Sequence, residues 1–291
     1  MTGLWVQSAA KINLVLNVLG KRTDGYHELQ MVMQSVSLYD TLELVPADTL
    51  RLTAPAGITN DPQQNLVYQA AALLCQKYQI KQGVQITLRK NIPLASGLAG
   101  GSTDCAGVLL GLDQFFGLNR PVSELADIAN LLGSDTAYCL YGGSYIAQGR
   151  GEILQKLPEL PELYGLILKP PFSLSTATVY NKAVTGKNSS LKLKRYLTGK
   201  VSLANLQNNM QNDLIKPALL LQPELADYFK MVESTNPTAW QMSGSGPSIF
   251  AFYKDQETRN TAVTTLRRLT NEPCQIFPVE TTNIAQIISE T

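Results

Sequence analysis

Apolar and more polar residues alternate from Ile12 through Leu14 to Leu16, the period of a half-buried strand. The turn-rich "GKRTDGYHE" at 20–28 separates it from a second extended run over 31–44. From Asn65 the period changes. Leu66, Ala70, Leu74 and Tyr78 recur every four residues, which predicts an amphipathic helix stopping near "KQG" at 81–83. "VQITLRK" at 84–90 alternates again as a strand, and "NIPLASGLAGGSTDCAGVLLGLDQFFG" at 91–117 then runs from glycine and serine into an apolar, helix-like stretch. A helix over 122–132, with Ser123 as its cap, leads through "LGSDTAYCLYGG" to a short strand "SYIAQG" at 144–149. Beyond the Pro-rich "LPELPELYG" at 157–165 the pattern gives a strand at 164–169 and helices between about 175 and 234. "AWQMSGSGPSIFAFY" follows at 239–253, then a helix over 256–269 and a last strand near 274–279. The polar "GKNSSLKLKRYLTGK" at 186–200 reads as a mobile loop whose lysines face water.

Strands return after helices on both sides of 157–165, and 291 residues exceed most single cores. The expectation is an α+β protein of two domains, 1–158 and 159–291. With 24 basic against 23 acidic side chains, net charge +1, no global field would hold nucleic acid or an anionic membrane, so any anionic ligand is held locally. The four cysteines are scattered without a CxxC pair and read as reduced thiols of a cytoplasmic protein. The N-terminal stretch lacks a basic leader and is interrupted by Lys11 and Asn13, so nothing in it targets the chain elsewhere. His27 is the only histidine, which excludes a two-histidine zinc site and leaves a Ser-His-Asp triad a single ring to use.

The loop before the 100–115 run carries the strongest chemical signal. Glycine admits positive φ and a close ligand approach, and the first turn of a helix offers unpaired N–H groups at the positive end of its dipole. "GLAGGS" at 97–102 would thus form a phosphate cradle, with Ser102 and Thr103 adding hydroxyl donors or capping the helix. Neither GxxxxGK[ST] nor GxGxxG is present, and a tight turn that merely lets a helix pack close to a strand is the competing reading. A second cluster, Gly244-Ser245-Gly246, precedes an apolar strand in the other half and would line the same cleft.

The segments "SAAKINLVLNVLGKRTDGYHEL", "NIPLASGLAGGSTDCAG", "LGSDTAYCLYGG…GRGE" and "MSGSGPSIFAF" resemble, in that order, the signatures of the GHMP kinase superfamily, over about residues 8 to 253. The first is most similar to the branch that phosphorylates 4-diphosphocytidyl-2-C-methyl-D-erythritol in non-mevalonate isoprenoid synthesis. The resemblance implies a two-domain kinase with its active site in the interdomain cleft. ATP with Mg²⁺ would donate the phosphoryl group to the 2-hydroxyl of a substrate bearing a cytidine diphosphate. Within the loop Pro93, Ala95, Ser96, Gly97, Leu98, Ala99, Gly100, Gly101, Ser102 and Thr103 would then surround ATP, while Asn65 and Lys90 fall near the adenine. Lys11 and Asp135 match the catalytic pair, and Asn13, Tyr26, His27, Thr176 and Tyr180 match the substrate pocket. An alcohol needs a carboxylate to accept its proton, and a loose phosphoryl transition state needs a cation beside it, so Lys11 and Asp135 are expected to meet across 124 residues. A homoserine- or mevalonate-type kinase and a silent nucleotide-binding sensor are the alternatives.

Three features depart from the family. "GSDTAY" at 133–138 stands where Gly-Ala-Asp-Val-Pro-Phe is common, and Asp104 and Cys105 follow the phosphate loop. A missing proline frees φ at Ala137, and a carboxylate beside phosphates is unfavourable unless it points away or meets a metal. No protein ligand of Mg²⁺ is assigned, Ser102 being a candidate only; oligomeric state is left open.

Overall fold

The computed structural model describes residues 3–58, 61–184, 190–270 and 273–290. The opening alternation becomes β1 (Leu4–Lys21), which turns back as β2 (His27–Ala47) in a long antiparallel hairpin. From Ser8 to Val18 every β1 residue is buried, so the strand is covered on both faces rather than half-buried. Its faces meet separate cores: Val6, Leu16 and Val18 enter a first, and Ala10, Ile12 and Leu14 a second. Pairing irregularities after Ala9 and between Asn13 and Val15 exchange the faces. Between them, Lys11 and Asn13 share the face opposite Ile12 and Leu14.

The β2 strand also pairs with β4 (Gly83–Arg89) and β5 (Ser144–Gly149). Two short strands extend the sheet, β3 (Arg51–Thr53) beside β4 and β6 (Ile153–Lys156) beside β5. Helices α1 (Leu66–Lys77), α2 (Gly100–Phe115), α3 (Val122–Leu132) and α4 (Thr136–Tyr141) join this half, and their apolar faces complete the first core. Two glycines let α2 lie directly on the hairpin. A Cβ at Gly107 would stand 2.1 Å from Ser8 Oγ, and one at Gly111 2.7 Å from Leu44 Cδ1.

The second half contains β7 (Tyr164–Lys169), α5 (Thr176–Asn181), α6 (Ser190–Leu197), α7 (Leu203–Asn209), β8 (Gln211–Asn212), α8 (Ile215–Leu221) and α9 (Leu225–Glu233). It continues through β9 (Ala239–Met242), β10 (Ile249–Tyr253) and α10 (Gln256–Leu269). The stretch read as a mobile loop is corrected by α6: Leu193 and Tyr196, three residues apart, are buried in the second core and fold it as an amphipathic helix. Residues 186–189 lie outside the described residues. Lys194 is exposed, as expected of a solvated face, but Lys192 Nζ donates to the Met210 carbonyl at 2.6 Å.

The chain's end connects the halves. β11 (Gln275–Thr282) pairs with β7 through Glu280 and then with β2 at Thr281 and Thr282; β12 (Gln286–Glu290), absent from the sequence expectation, pairs with β1. Residues beyond 158 therefore complete the sheet of the first half. All four cysteines are free, Cys105 and Cys139 buried and Cys75 and Cys274 half-buried.

Candidate active site

The loop from β4 to α2 is built on left-handed backbone at Ala95, Gly97 and Ala99, with φ of 48°, 78° and 59°. It curls against the loop between β9 and β10. Ser243 Oγ donates to the Gly97 carbonyl at 3.0 Å and the Ser248 N–H to the Ser96 carbonyl at 3.3 Å. A Cβ at Gly97 would lie 2.2 Å from the Ser243 carbonyl oxygen, so glycine is needed here for loop-to-loop contact. The Leu98 side chain is buried, and its carbonyl accepts the Lys11 N–H at 3.2 Å, tying the loop to β1.

Below the loop, Lys11 Nζ lies 3.2 Å from Asp135 Oδ2 and donates to Asn13 Oδ1 at 2.7 Å. Lys11 is 5% exposed, whereas a quarter of the Asp135 side chain faces the cleft. Asp135 begins α4 without accepting a capping bond from it, so its carboxylate stays available.

These residues open on one cleft of about 690 Å³. Of the residues expected in the site, Lys11, Asn13, Tyr26, His27, Lys90, Pro93, Ala95, Ser96, Gly97, Ala99, Gly100, Gly101, Ser102, Asp135, Thr176, Tyr180, Gly244 and Ser245 line it. Four do not. Asn65 Oδ1 accepts the Val67 N–H and caps α1; Leu98 belongs to the second core; Thr103 donates its hydroxyl to the Ala9 carbonyl at 2.7 Å; Gly246 packs on Met242. Thr103 is therefore a brace between α2 and β1 and not a donor to the cleft.

Also lining the cleft, the His27 and Tyr180 rings lie 5.3 Å apart, and Thr176 shares a 3.0 Å hydroxyl contact with Ser245. Burial pushes the Tyr180 phenol up, with Asp135 adding to it, while burial and then Lys21 push the His27 imidazole down. Tyr26 is half exposed and carries the Arg150 guanidinium 5.0 Å above its ring. Arg150 also lines the cleft and received no role from the sequence, although a cation between two glycines in "GRGE" just after a strand was the available signal.

Asp104 does point away from the phosphate cradle. It is buried, and its Oδ2 accepts from Lys90 Nζ at 2.6 Å; Lys90 also bonds Asp40. Asp40 Oδ1 in turn accepts the consecutive N–H groups of Asn91 and Ile92 at 2.6 and 2.8 Å. The ammonium that the resemblance places near adenine is thus shared by two carboxylates behind the loop.

A glycine cradle at a helix N-terminus, over a paired lysine and aspartate, has the parts of a phosphoryl-transfer site. Residues 65–143 match the GHMP kinases N terminal domain and residues 199–271 the GHMP kinases C terminal domain. A 4-diphosphocytidyl-2-C-methyl-D-erythritol kinase of Syntrophomonas wolfei is 40% identical over 256 residues, 87% of this chain and 90% of its own. One from Lachnospira eligens is 35% identical over 289 residues, 97% and 99% of the two chains. The crystal structure of a 4-(cytidine 5'-diphospho)-2C-methyl-D-erythritol kinase superposes with a TM-score of 0.80 at 30% identity, covering 96% of this chain and 99% of that one. A homoserine kinase from Cytophaga hutchinsonii gives the same score at 20% identity over 99% and 98%, a likeness of fold. The chain belongs to the GHMP kinase family, as a relative of the 4-diphosphocytidyl-2-C-methyl-D-erythritol kinases.

Proposed function

We propose that the chain is an ATP-dependent kinase that phosphorylates the 2-hydroxyl of 4-diphosphocytidyl-2-C-methyl-D-erythritol, with Lys11 and Asp135 as its catalytic pair. The 3.2 Å contact between these side chains beneath the glycine loop carries the reading. Asp135 accepts the alcohol proton as the oxygen–phosphorus bond forms, and Lys11 offsets charge on the transferring phosphoryl group. N–H groups at the start of α2 and the Gly97–Ser102 backbone hold the ATP phosphates. The His27 and Tyr180 rings in the same cleft suit a flat base with hydrogen-bonding edges, which a homoserine or mevalonate pocket would not need.

Mg²⁺ usually enters such sites on substrate phosphates with one or two protein oxygens. No cluster of three acidic, histidine or cysteine side chains suited to a metal occurs among the described residues, so a metal carried mainly by phosphates fits. Ser102 is the cleft side-chain oxygen that would hold it, and it would neutralise phosphate charge during transfer. No described helix is long and apolar enough to cross a membrane.

ADP release with ATP and Mg²⁺ tests this reading, comparing the cytidylyl substrate with methylerythritol phosphate lacking that group. Turnover should require the cytidylyl group and fall by about 10²-fold or more in Asp135→Asn. Equal turnover of both compounds would remove the cytidine assignment, and an active Asp135→Asn would remove the base.

A further inference from the structure

We propose that Tyr138, Ser35 and Gly143 form a closed hydrogen-bond ring that positions Asp135 against Lys11, although none of the three lines the cleft. The inference rests on Asp135 being the base. The ring can be followed atom by atom. The Tyr138 hydroxyl donates to the Gly143 carbonyl at 2.7 Å, and the Gly143 N–H donates to Ser35 Oγ at 3.1 Å. Because the phenol has one proton and the carbonyl takes it, the 3.0 Å contact between the two hydroxyls is donated by Ser35. The Ser35 N–H returns to the Gly143 carbonyl at 3.2 Å. Tyr138 and Ser35 are 1% and 3% exposed, so water does not compete for these bonds. Burial also pushes the phenol up against the opposing bond from Ser35, which keeps its proton in place.

What the ring joins gives it its role. Ser35 on β2 is the direct cross-strand partner of Lys11 on β1. Tyr138 lies on α4, whose first residue follows Asp135, and Gly143 lies just past its last turn. A helix of six residues is not held by its own propensity, and Ala137 does not constrain φ as proline would. The Asp135 carboxylate accepts no bond from α4 either, so its aim follows the helix. The ring thus fixes the helix that presents the aspartate to the strand pair that presents the lysine. Tyr138, Ser35 and Gly143 are positioning residues acting through Asp135.

The test compares Tyr138→Phe, Ser35→Ala and their double variant with Tyr253→Phe. That last change removes a similarly buried phenol hydroxyl, bonded to Thr235 at 2.7 Å on the other half. Turnover is measured per folded molecule, well below each melting temperature. Tyr138→Phe should lower kcat about tenfold with KM for ATP within about twofold, as expected for a small misplacement of the base. The double variant should lose no more than the worse single one, since the ring acts as a unit. Tyr253→Phe should keep its kcat while losing stability. Wild-type kcat in Tyr138→Phe, additive losses in the double variant, or an equal kcat loss in Tyr253→Phe would each overturn the proposal. Asp135→Asn run alongside separates the two ideas: if it stays active, the reading of the base fails, whereas an inactive Asp135→Asn beside an unaffected Tyr138→Phe defeats the ring alone.

Discussion

Lys90 shows how far a single side chain departs from what its position in the sequence suggests. It follows β4 directly, where the resemblance points it at a nucleotide, yet its ammonium joins Asp40 and Asp104 behind the loop. Asp40 receives two further backbone donors and is the better-satisfied carboxylate, whereas Asp104 Oδ1 is buried without a partner. Burial pushes the Asp104 carboxyl well above its ordinary 3.8; Lys90 pulls it down, and Asp40 adds to the rise. The folded chain therefore holds this proton to higher pH than the unfolded chain does. Stability from Asp104 is present below the unfolded value and is lost as pH rises through the folded one. Asp104→Asn does not titrate, so the variant should gain on the wild type in melting temperature as pH is raised from about 4 upward. A difference that stays constant with pH would show that Asp104 is ionised throughout. In the sequence Asp104 is only an anion beside a phosphate loop; what removes it from the cleft is Asp40, on another strand and far upstream.

At the level of elements, both glycine loops were visible as composition, but their mutual contact was not, because no local pattern records which distant turn a turn will touch. The structure divides the glycines into two kinds. Gly97 serves the protein, since its left-handed φ and the Ser243 carbonyl 2.2 Å from a would-be Cβ leave no room for a side chain. Gly101 is in the first turn of α2, faces the cleft, and would place a Cβ 3.6 Å from Leu66 Cδ1, an ordinary contact. Gly97→Ala should therefore lower melting temperature and raise KM for ATP together. Gly101→Ala should keep or raise melting temperature, alanine being better in a helix by about 0.5–1 kcal/mol, and still raise KM for ATP by crowding the phosphates. Melting curves beside ATP titrations check this, and an unchanged KM in Gly101→Ala would mean that the phosphates do not approach the start of α2. Element types were legible wherever apolar spacing was regular, as in α1 and α10. α6 was missed because its lysines outweighed Leu193 and Tyr196, whose burial comes from packing and not from composition.

At the scale of the whole molecule, the proposed catalytic pair depends on chain that the sequence left unread. β12 is a short, mostly exposed edge strand whose weak alternation gives little signal, yet it covers the outer edge of β1, the strand carrying Lys11. Its first residue reaches further. Gln286 Nε2 donates to the carbonyls of Cys139 at 3.2 Å and Thr103 at 3.5 Å, so one amide spans the helix beginning after Asp135 and the helix beginning at the glycine loop. The last strand thus ties the start of α2, α4 and the strand carrying Lys11 into one arrangement, although none of its residues lines the cleft. A chain ended after Ala285 loses this amide and the five β1–β12 residue pairs from Leu4–Glu290 to Ser8–Gln286. Leaving the Cys139 carbonyl, in the last turn of α4, unmet costs about 1–3 kcal/mol. At roughly 2–4 °C per kcal/mol, the melting temperature should fall by several degrees. The kcat of the truncated chain should fall as well, more than its KM for either ligand, because the groups loosened are those that align the reacting atoms. Gln286→Ala in the untruncated chain isolates the amide, and it should reproduce the kcat loss with a smaller drop in melting temperature. A truncated chain that melts lower but turns over normally would mean that β12 stabilises the sheet without aligning the site.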